Sequence, residues 1–304
     1  MLKDRFVYMD GQFIRWEDAN VHIMSHSFAR GSGIFEVLGV HKTGAGTAVF
    51  RLDEYVSRFF RSAELLEMKL ALSAEQLQEA VLETVRRNGL GDGVVKIMGF
   101  YPQVAFDIMP PSGHLSVAVF AINPVEDLGS TQFLFDGGVT TCISSWRKID
   151  PRTVPPEAKV AANYLNGMMS RLEARKKGYE MAIMLDNEGF VAEGGTESVF
   201  IVKDGKLYTP ALGKILKSIS RKSVPVVAAS EGIETVETQL KPEALHDADE
   251  VFFSCTVMKV CPVKSVDDSV FDPVPGPMCR RLNDLMNGVT AGEDERFKHW
   301  LFPV

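Results

Sequence analysis

Apolar and polar positions along the chain change period several times, so strands and helices are mixed from the start. Residues 6–14 alternate around Asp10-Gly11, a dipeptide that favours two-residue hairpin turns, and predict a pair of short strands. Residues 21–40 run through the glycine-punctuated stretch Gly31-Ser32-Gly33 into a strand over 34–40. Those glycines fit a plain loop, or a backbone that turns tightly or lies close to another group. Leu52, Val56, Phe59, Ala63 and Leu66 then recur at helical spacing, with Asp53 and Glu54 suited to the helix start. Arg58 sits beside this stripe, placed to snorkel to solvent or to turn inward onto an anion; the pattern alone favours snorkelling. A second helix over 74–88 stops at Gly89, and strands over 94–100 and 115–122 complete an α+β first half.

The polar, turn-rich stretch 123–129 (NPVEDLG) reads as an interdomain linker. After a strand over 139–144, residues 155–179 (PPEAKVAANYLNGMMSRLEARKKGY) predict a helix. Its buried face is expected to carry Ala162, Leu165, Met169, Leu172 and the stem of Lys176. Lys159 falls at or just before its start, the end where positive charge is least favoured. Two readings stand for that residue: a solvated surface lysine, or an amine that forms a Schiff base with a carbonyl. The chain then turns strongly β, with strands over 181–185, 190–192, 197–202 and 206–208. Glu193 ends one of these before two glycines, as a turn former or beside a closely approaching ligand. A helix over 215–230 takes Ser218 or Ser220 as N-cap, and its start is a ready anion site. Pro225 predicts a kink in it or a later start. A strand over 251–254 leads into Cys255-Thr256-Val257, and one amphipathic helix fills the tail.

Composition narrows the function classes. The net charge of -7, with acids and bases interspersed and no basic face, argues against nucleic acid as a partner. Four cysteines lie far apart, without metal-ligand spacing or a secreted framework, which suits a reducing cytoplasm. No apolar run reaches the ~18 residues of a membrane span, and the first residues lack a signal peptide's apolar core. No metal is expected.

Several segments together resemble one family over nearly the whole chain: RWEDANVHIMSHS, FRLDEYVSRFFRSAELL, SSWRKIDPRTVPPEAKVAANYLN, LDNEGFVAEGGTESVFIVKDGKLYTP, ADEVFFSCT and RRLNDLMNGVTAGE. They are similar to the class IV (fold type IV) aminotransferases that use pyridoxal 5'-phosphate, most of all the branched-chain amino-acid aminotransferases. The resemblance implies a two-domain α+β fold, with a small domain over 1–122 and a β-rich large domain over 130–304. It also implies a cofactor held between them and a homodimer or larger assembly. Lys159 would carry the cofactor on its ε-amine and act as general base and acid. Glu193 would face the pyridine nitrogen, Tyr164 the phenolic oxygen, and Leu216 the ring face. Arg58, the N–H groups of Ile219 and Ser220, and Thr256 would hold the phosphate. Phe35, Arg30, Lys96, Thr256 and Val257 would line the substrate site. The reaction implied moves an amino group from an amino acid, foremost a branched-chain L-amino acid, to a 2-oxo acid such as 2-oxoglutarate.

The chain departs from the family pattern in places. Lys96 stands where these enzymes carry arginine, Val94 and Arg30 where they carry tyrosine, and Cys255-Thr256-Val257 replaces Gly-Thr-Ala. Lys217-Ser218 takes the place of a Pro-Gly pair, and ILKSISR and GSGIFEV are closer to the D-amino-acid version. A D-amino-acid aminotransferase, an aminodeoxychorismate lyase and a cofactor-binding protein without turnover are therefore the alternatives.

Overall fold

In the computed structural model, which describes residues 2–110, 113–130 and 133–304, Asp10 and Gly11 both take positive φ and join the strands Phe6–Met9 and Gln12–Arg15. Such angles belong to the primed turn whose twist matches that of the flanking strands. The hairpin closes one edge of an eight-stranded sheet. From the other edge the order is Leu301–Pro303, Gly46–Phe50, Ile34–Thr43, Gly93–Phe100, His114–Ile122, Phe6–Met9 and Gln12–Arg15, with Lys69–Leu70 beside His114–Ile122. The helix Leu52–Leu65 buries Leu52, Val56, Phe59 and Ala63, as its spacing predicts, whereas Leu66 lies just past its end and is half-buried. The helix Ala74–Arg87 starts from a Ser73 capping box with Gln76.

The chain divides into two α+β units. The first comprises Met1–Gln132, Ala158–Ala162 and Gly288–Val304. Two segments that the sequence places within 130–304 thus group with it, because Val160 bridges Ile34 and Leu301–Pro303 pairs with Gly46–Phe50. The stretch 123–129 is ordered as the short helix Pro124–Leu128, whose first N–H groups bond to Asn123 Oδ1.

The second unit comprises Phe133–Glu157 and Asn163–Asn287. Its nine-stranded sheet runs Val191–Gly194, Met181–Leu185, Val139–Arg147, Cys261–Val266, Glu250–Ser254, Ser198–Lys203, Lys206–Pro210 and Thr235–Thr238, with Ser269–Val270 beside Cys261–Val266. Val139–Arg147 is parallel to both of its neighbours, and most other pairs are antiparallel. One face is a packed apolar layer that includes Ile183, Val199 and Phe253; Phe200 and Phe252, which fall on the other side of their strands, stack at 4.9 Å.

The helix after Lys159 differs from its expected form in two ways. Its α-helical part is Tyr164–Lys176, preceded by a 3-10 turn over Ala161–Asn163. Its buried face is the small-residue stripe Gly167, Ser170 and Ala174, while Ala162, Leu165, Leu172 and Lys176 are exposed and Met169 half-buried. The cause is a close backbone approach: a Cβ on Gly167 would meet the Gly195 carbonyl oxygen at 2.2 Å. Only the small-residue side of the helix fits there.

Gly167→Ala is therefore expected to lower stability by about 1–3 kcal/mol or more, through overpacking against backbone that has no rotamer to yield. Urea denaturation followed by far-UV circular dichroism measures it, and an unchanged midpoint would show that the helix stands off from Gly195.

Candidate active site

Lys159 lies in extended backbone, ahead of both the 3-10 turn and the α-helix. It thus falls just before the helix start, as expected, but outside the first turn, where the dipole effect fades. A single antiparallel β-bridge between Val160 and Ile34, with its flanking hydrogen bonds, holds the residue. Phe35 N–H donates to Lys159 O at 3.1 Å, and Ala161 N–H donates to Gly33 O at 2.8 Å. Lys159 N–H donates to Ser62 Oγ at 3.0 Å. The half-buried ε-amine stands 4.8 Å from the centroid of the Phe35 ring. Gly31 makes the approach possible: it takes φ of 70°, and a Cβ there would meet Ala162 Cβ at 3.0 Å. The glycines thus serve a tight turn and a close contact.

Arg58 does not snorkel. It lies one helical turn before Ser62 on the Leu52–Leu65 helix and grips Glu36 with its fork, Nε to Oε1 at 2.7 Å and Nη2 to Oε2 at 2.6 Å. Glu36 is fully buried, and its strand neighbour Phe35 projects to the opposite face. The apolar spacing around Arg58 gave no sign of this partner. The one hint was an acidic residue inside the otherwise apolar strand GIFEV.

Lys96 also reaches Phe35, its Nζ 4.9 Å from the ring centroid, and burial pushes its ammonium pKa down. The two amines on this ring, Lys159 and Lys96, are both well placed for cation–π contact. Arg30 is exposed and donates from Nη2 to Phe106 O at 2.6 Å. It helps stitch residues 25–32 to 101–108, alongside buried His26, whose ring nitrogens lie 2.8 Å from Ser32 Oγ and 2.9 Å from Ile108 O.

In the second unit, Glu193 is buried on Val191–Gly194 and forms an ion pair with Lys148, a residue of the SSWRKID segment to which the sequence assigns no role. The following loop is fixed by Glu197, also buried, which accepts from Arg171 Nη2 at 2.7 Å and from Thr196 N–H at 3.0 Å. Tyr164 begins the α-helix, half-buried. Ser218 is the N-cap of the helix Ile219–Ala229, its Oγ accepting from Arg221 N–H at 3.3 Å. The helix starts four residues later than the apolar pattern and keeps Pro225 inside it. Among the described residues, the N–H groups of Ile219 and Ser220 donate to no acceptor within hydrogen-bond distance, as expected of a first turn. Leu216 is half-buried just before this start. Thr256 is half-buried and Val257 exposed, in the turn after Glu250–Ser254. Ser198 and Ser254 face each other across the sheet, and among the described residues their buried hydroxyls have no partner.

The first unit thus holds a positioned amine and a guanidinium, and the second a buried carboxylate, a phenol and N–H donors at a helix start. An amine of this kind suits a carbonyl compound, and a helix start suits an anionic group.

Comparison with known proteins agrees. A profile of the family described as amino-transferase class IV matches residues 33–266. The branched-chain-amino-acid aminotransferase of Salmonella typhimurium is 35% identical over 304 residues, 99% of this chain and 98% of that one. The Escherichia coli K12 enzyme of the same name is 34% identical over the same shares. Among solved structures, the branched-chain aminotransferase of Thermoproteus uzoniensis with norvaline superposes with a TM-score of 0.92 at 34% identity, over 98% of this chain and 99% of that one. The branched-chain amino acid aminotransferase of Thermobaculum terrenum in its PLP-form gives 0.91 at 28% identity, over 100% and 99%.

Glu36→Gln strands the Arg58 guanidinium among buried groups, so the cofactor-free protein is expected to lose about 3–5 kcal/mol. If Arg58 also faces an anion site, millimolar inorganic phosphate raises the Tm of the variant more than that of wild type. An equal rise in both would remove Arg58 from that site.

Proposed function

The chain belongs to the amino-transferase class IV family, and we propose on that premise that it transfers an amino group between a branched-chain L-amino acid and a 2-oxo acid such as 2-oxoglutarate. The observation that carries this reading is the full-length likeness to branched-chain-amino-acid aminotransferases at 34–35% identity. The cofactor is pyridoxal 5'-phosphate, and the residues present suit it: an amine for its aldehyde, a carboxylate for its ring nitrogen, a phenol for its phenolic oxygen, and a guanidinium with N–H donors for its phosphate. When bound, it supplies the carbonyl that accepts the amino group and a ring that takes up electron density from the substrate's Cα–H bond.

In this proposal Lys159 holds the cofactor and afterwards carries the proton at Nζ. Its fixed main chain limits where that nitrogen travels. Glu193, ion-paired with Lys148, would present its carboxylate to the ring N–H. Tyr164 orients the phenolic oxygen, and Leu216 packs on the ring. Arg58, the Ile219 and Ser220 N–H groups and Thr256 hold the phosphate, with the helix start contributing its dipole. Phe35, Lys96, Thr256 and Val257 bound the substrate, and Arg30 acts at its margin through the loop it ties down.

The protein works as a homodimer or larger homo-oligomer. This is supported by large apolar side chains left exposed in each unit: Ile23, Phe28, Phe106 and Ile108 in the first, and Leu165, Met168 and Leu172 along one helix face in the second. We place it in the cytoplasm, a reading supported by four free cysteines. Among the described residues, no helix is long and apolar enough to cross a membrane.

Adding single amino acids to the holoenzyme tests the activity through the visible cofactor band. L-leucine and L-glutamate are expected to convert it to the pyridoxamine form, and Lys159→Ala to slow the L-leucine half-reaction by at least about 10²–10⁴-fold, the usual size of a general acid–base contribution. Conversion by D-alanine alone would overturn the substrate choice, and no conversion by any amino acid would leave a binder without turnover.

A further inference from the structure

The main chain around Lys159 bonds to Gly33 and Phe35, and the stretch just before them is held by side chains that the proposed reaction does not use. Buried His26 stands in a chain of hydrogen bonds there, its ring edge to face with Tyr101 at 5.8 Å. Tyr101 N–H donates to Ser27 Oγ at 2.8 Å, and Ser27 Oγ lies 3.1 Å from Ser32 Oγ. Ser32 Oγ lies 2.8 Å from His26 Nδ1, and His26 Nε2 lies 2.9 Å from Ile108 O. Every member belongs to the first unit, as Lys159 does.

Both ends of this chain have a fixed direction. The Tyr101 N–H only donates and the Ile108 carbonyl only accepts, so His26 Nε2 carries a hydrogen. With Nδ1 bare, the rest closes in one sense: Ser27 O–H donates to Ser32 Oγ, and Ser32 O–H donates to Nδ1. A hydrogen on Nδ1 would turn both hydroxyls round and leave that of Ser27 without an acceptor among the described residues. The ring is therefore the acceptor that holds Ser32. Among the described residues the main chain of Ser32 makes no hydrogen bond, so its hydroxyl is its tether. Ser32 also bears the one side chain in Gly31-Ser32-Gly33, between two residues of wide backbone freedom. The carbonyl of the next residue, Gly33, takes the Ala161 N–H at 2.8 Å, two residues from Lys159.

We propose that His26 is a positioning residue of the active site: through Nδ1 it fixes Ser32, and through Ser32 and Gly33 it fixes the main chain that carries Lys159. The proposal rests on Lys159 holding the cofactor, as in the aminotransferase reading. The two ring nitrogens have unequal parts. Nδ1 sets the frame of the amine, whereas Nε2 secures Ile108 to the same stretch, a tie that Arg30 also makes at Phe106 O.

Two amide side chains separate the nitrogens. In His26→Asn the side-chain oxygen falls where Nδ1 was and still accepts from Ser32. In His26→Gln the side-chain N–H reaches Ile108 O, and Ser32 loses its acceptor. Single-turnover conversion of the holoenzyme by L-leucine gives the rate constant and the dissociation constant separately. His26→Gln is expected to lower the rate constant about 10–100-fold, the scale on which a small misplacement of reacting groups costs rate, and to change the dissociation constant less than about 3-fold. His26→Asn is expected to stay within about 3-fold of wild type in both, the size of one modest hydrogen bond. Ser32→Ala is expected to repeat the His26→Gln result, and serves if that variant does not fold. A histidine that only stabilises the fold loses one hydrogen bond in either amide, so Asn and Gln variants slowed alike would overturn the proposal. Nitrogen NMR of the histidine-labelled holoenzyme is expected to show His26 with Nε2 protonated and Nδ1 bare; a hydrogen on Nδ1 would also overturn it. If L-leucine does not convert wild type, the aminotransferase reading fails on its own. The proposal is then decided by covalent uptake of pyridoxal 5'-phosphate by the cofactor-free protein, with the same order of variants expected and equal uptake by all of them against it.

Discussion

The structure around the candidate site depends on a three-residue backbone pairing. Gly33 and Phe35 at the start of a central strand bond to Ala161 and Lys159, and Ser62 takes the one Lys159 N–H that the pairing leaves over. Lysine carries about 2 kcal/mol of rotamer entropy, so an unanchored lysine samples many positions. Fixing both main-chain groups and laying the amine against Phe35 removes much of that freedom before any substrate arrives. The helix Leu52–Leu65 serves this twice, once through Ser62 and one turn earlier through Arg58.

Charge in both units is handled by burying carboxylates against cations. Arg58 holds Glu36, Lys148 holds Glu193, and Arg171 holds Glu197. Buried pairs of this kind contribute little net stability, because desolvation offsets the attraction, but breaking one is costly. Their effect is geometric: each fixes a side chain or loop within its own unit. Glu197 illustrates it, since it holds Arg171 and Thr196 with its carboxylate and accepts the Gly194 N–H on its main-chain oxygen.

Much of this was legible in the sequence where local signals suffice. The Asp10-Gly11 turn, the apolar face from Leu52 to Ala63 and the Ser218 cap follow from one residue's torsions or one period. The residues that the family resemblance implies can be placed, each in its unit. Three features were not legible. The Tyr164–Lys176 helix buries its small residues because Gly195 comes so near, and a count of apolar positions selects the opposite side. Glu36 and Lys148 are each tied to a charged partner more than twenty residues away, a separation that no local pattern encodes. Lys159 has the composition of a helix start around it but is tied beside an isolated β-bridge, because its backbone partner lies far back at Phe35.

The central claim is that Lys159, and not the other amine on the same ring, carries the cofactor. Borohydride reduction of the holoenzyme, followed by digestion and mass spectrometry, tests it directly. The phosphopyridoxyl mass is expected on the peptide containing Lys159 alone; its appearance on Lys96 would contradict the account.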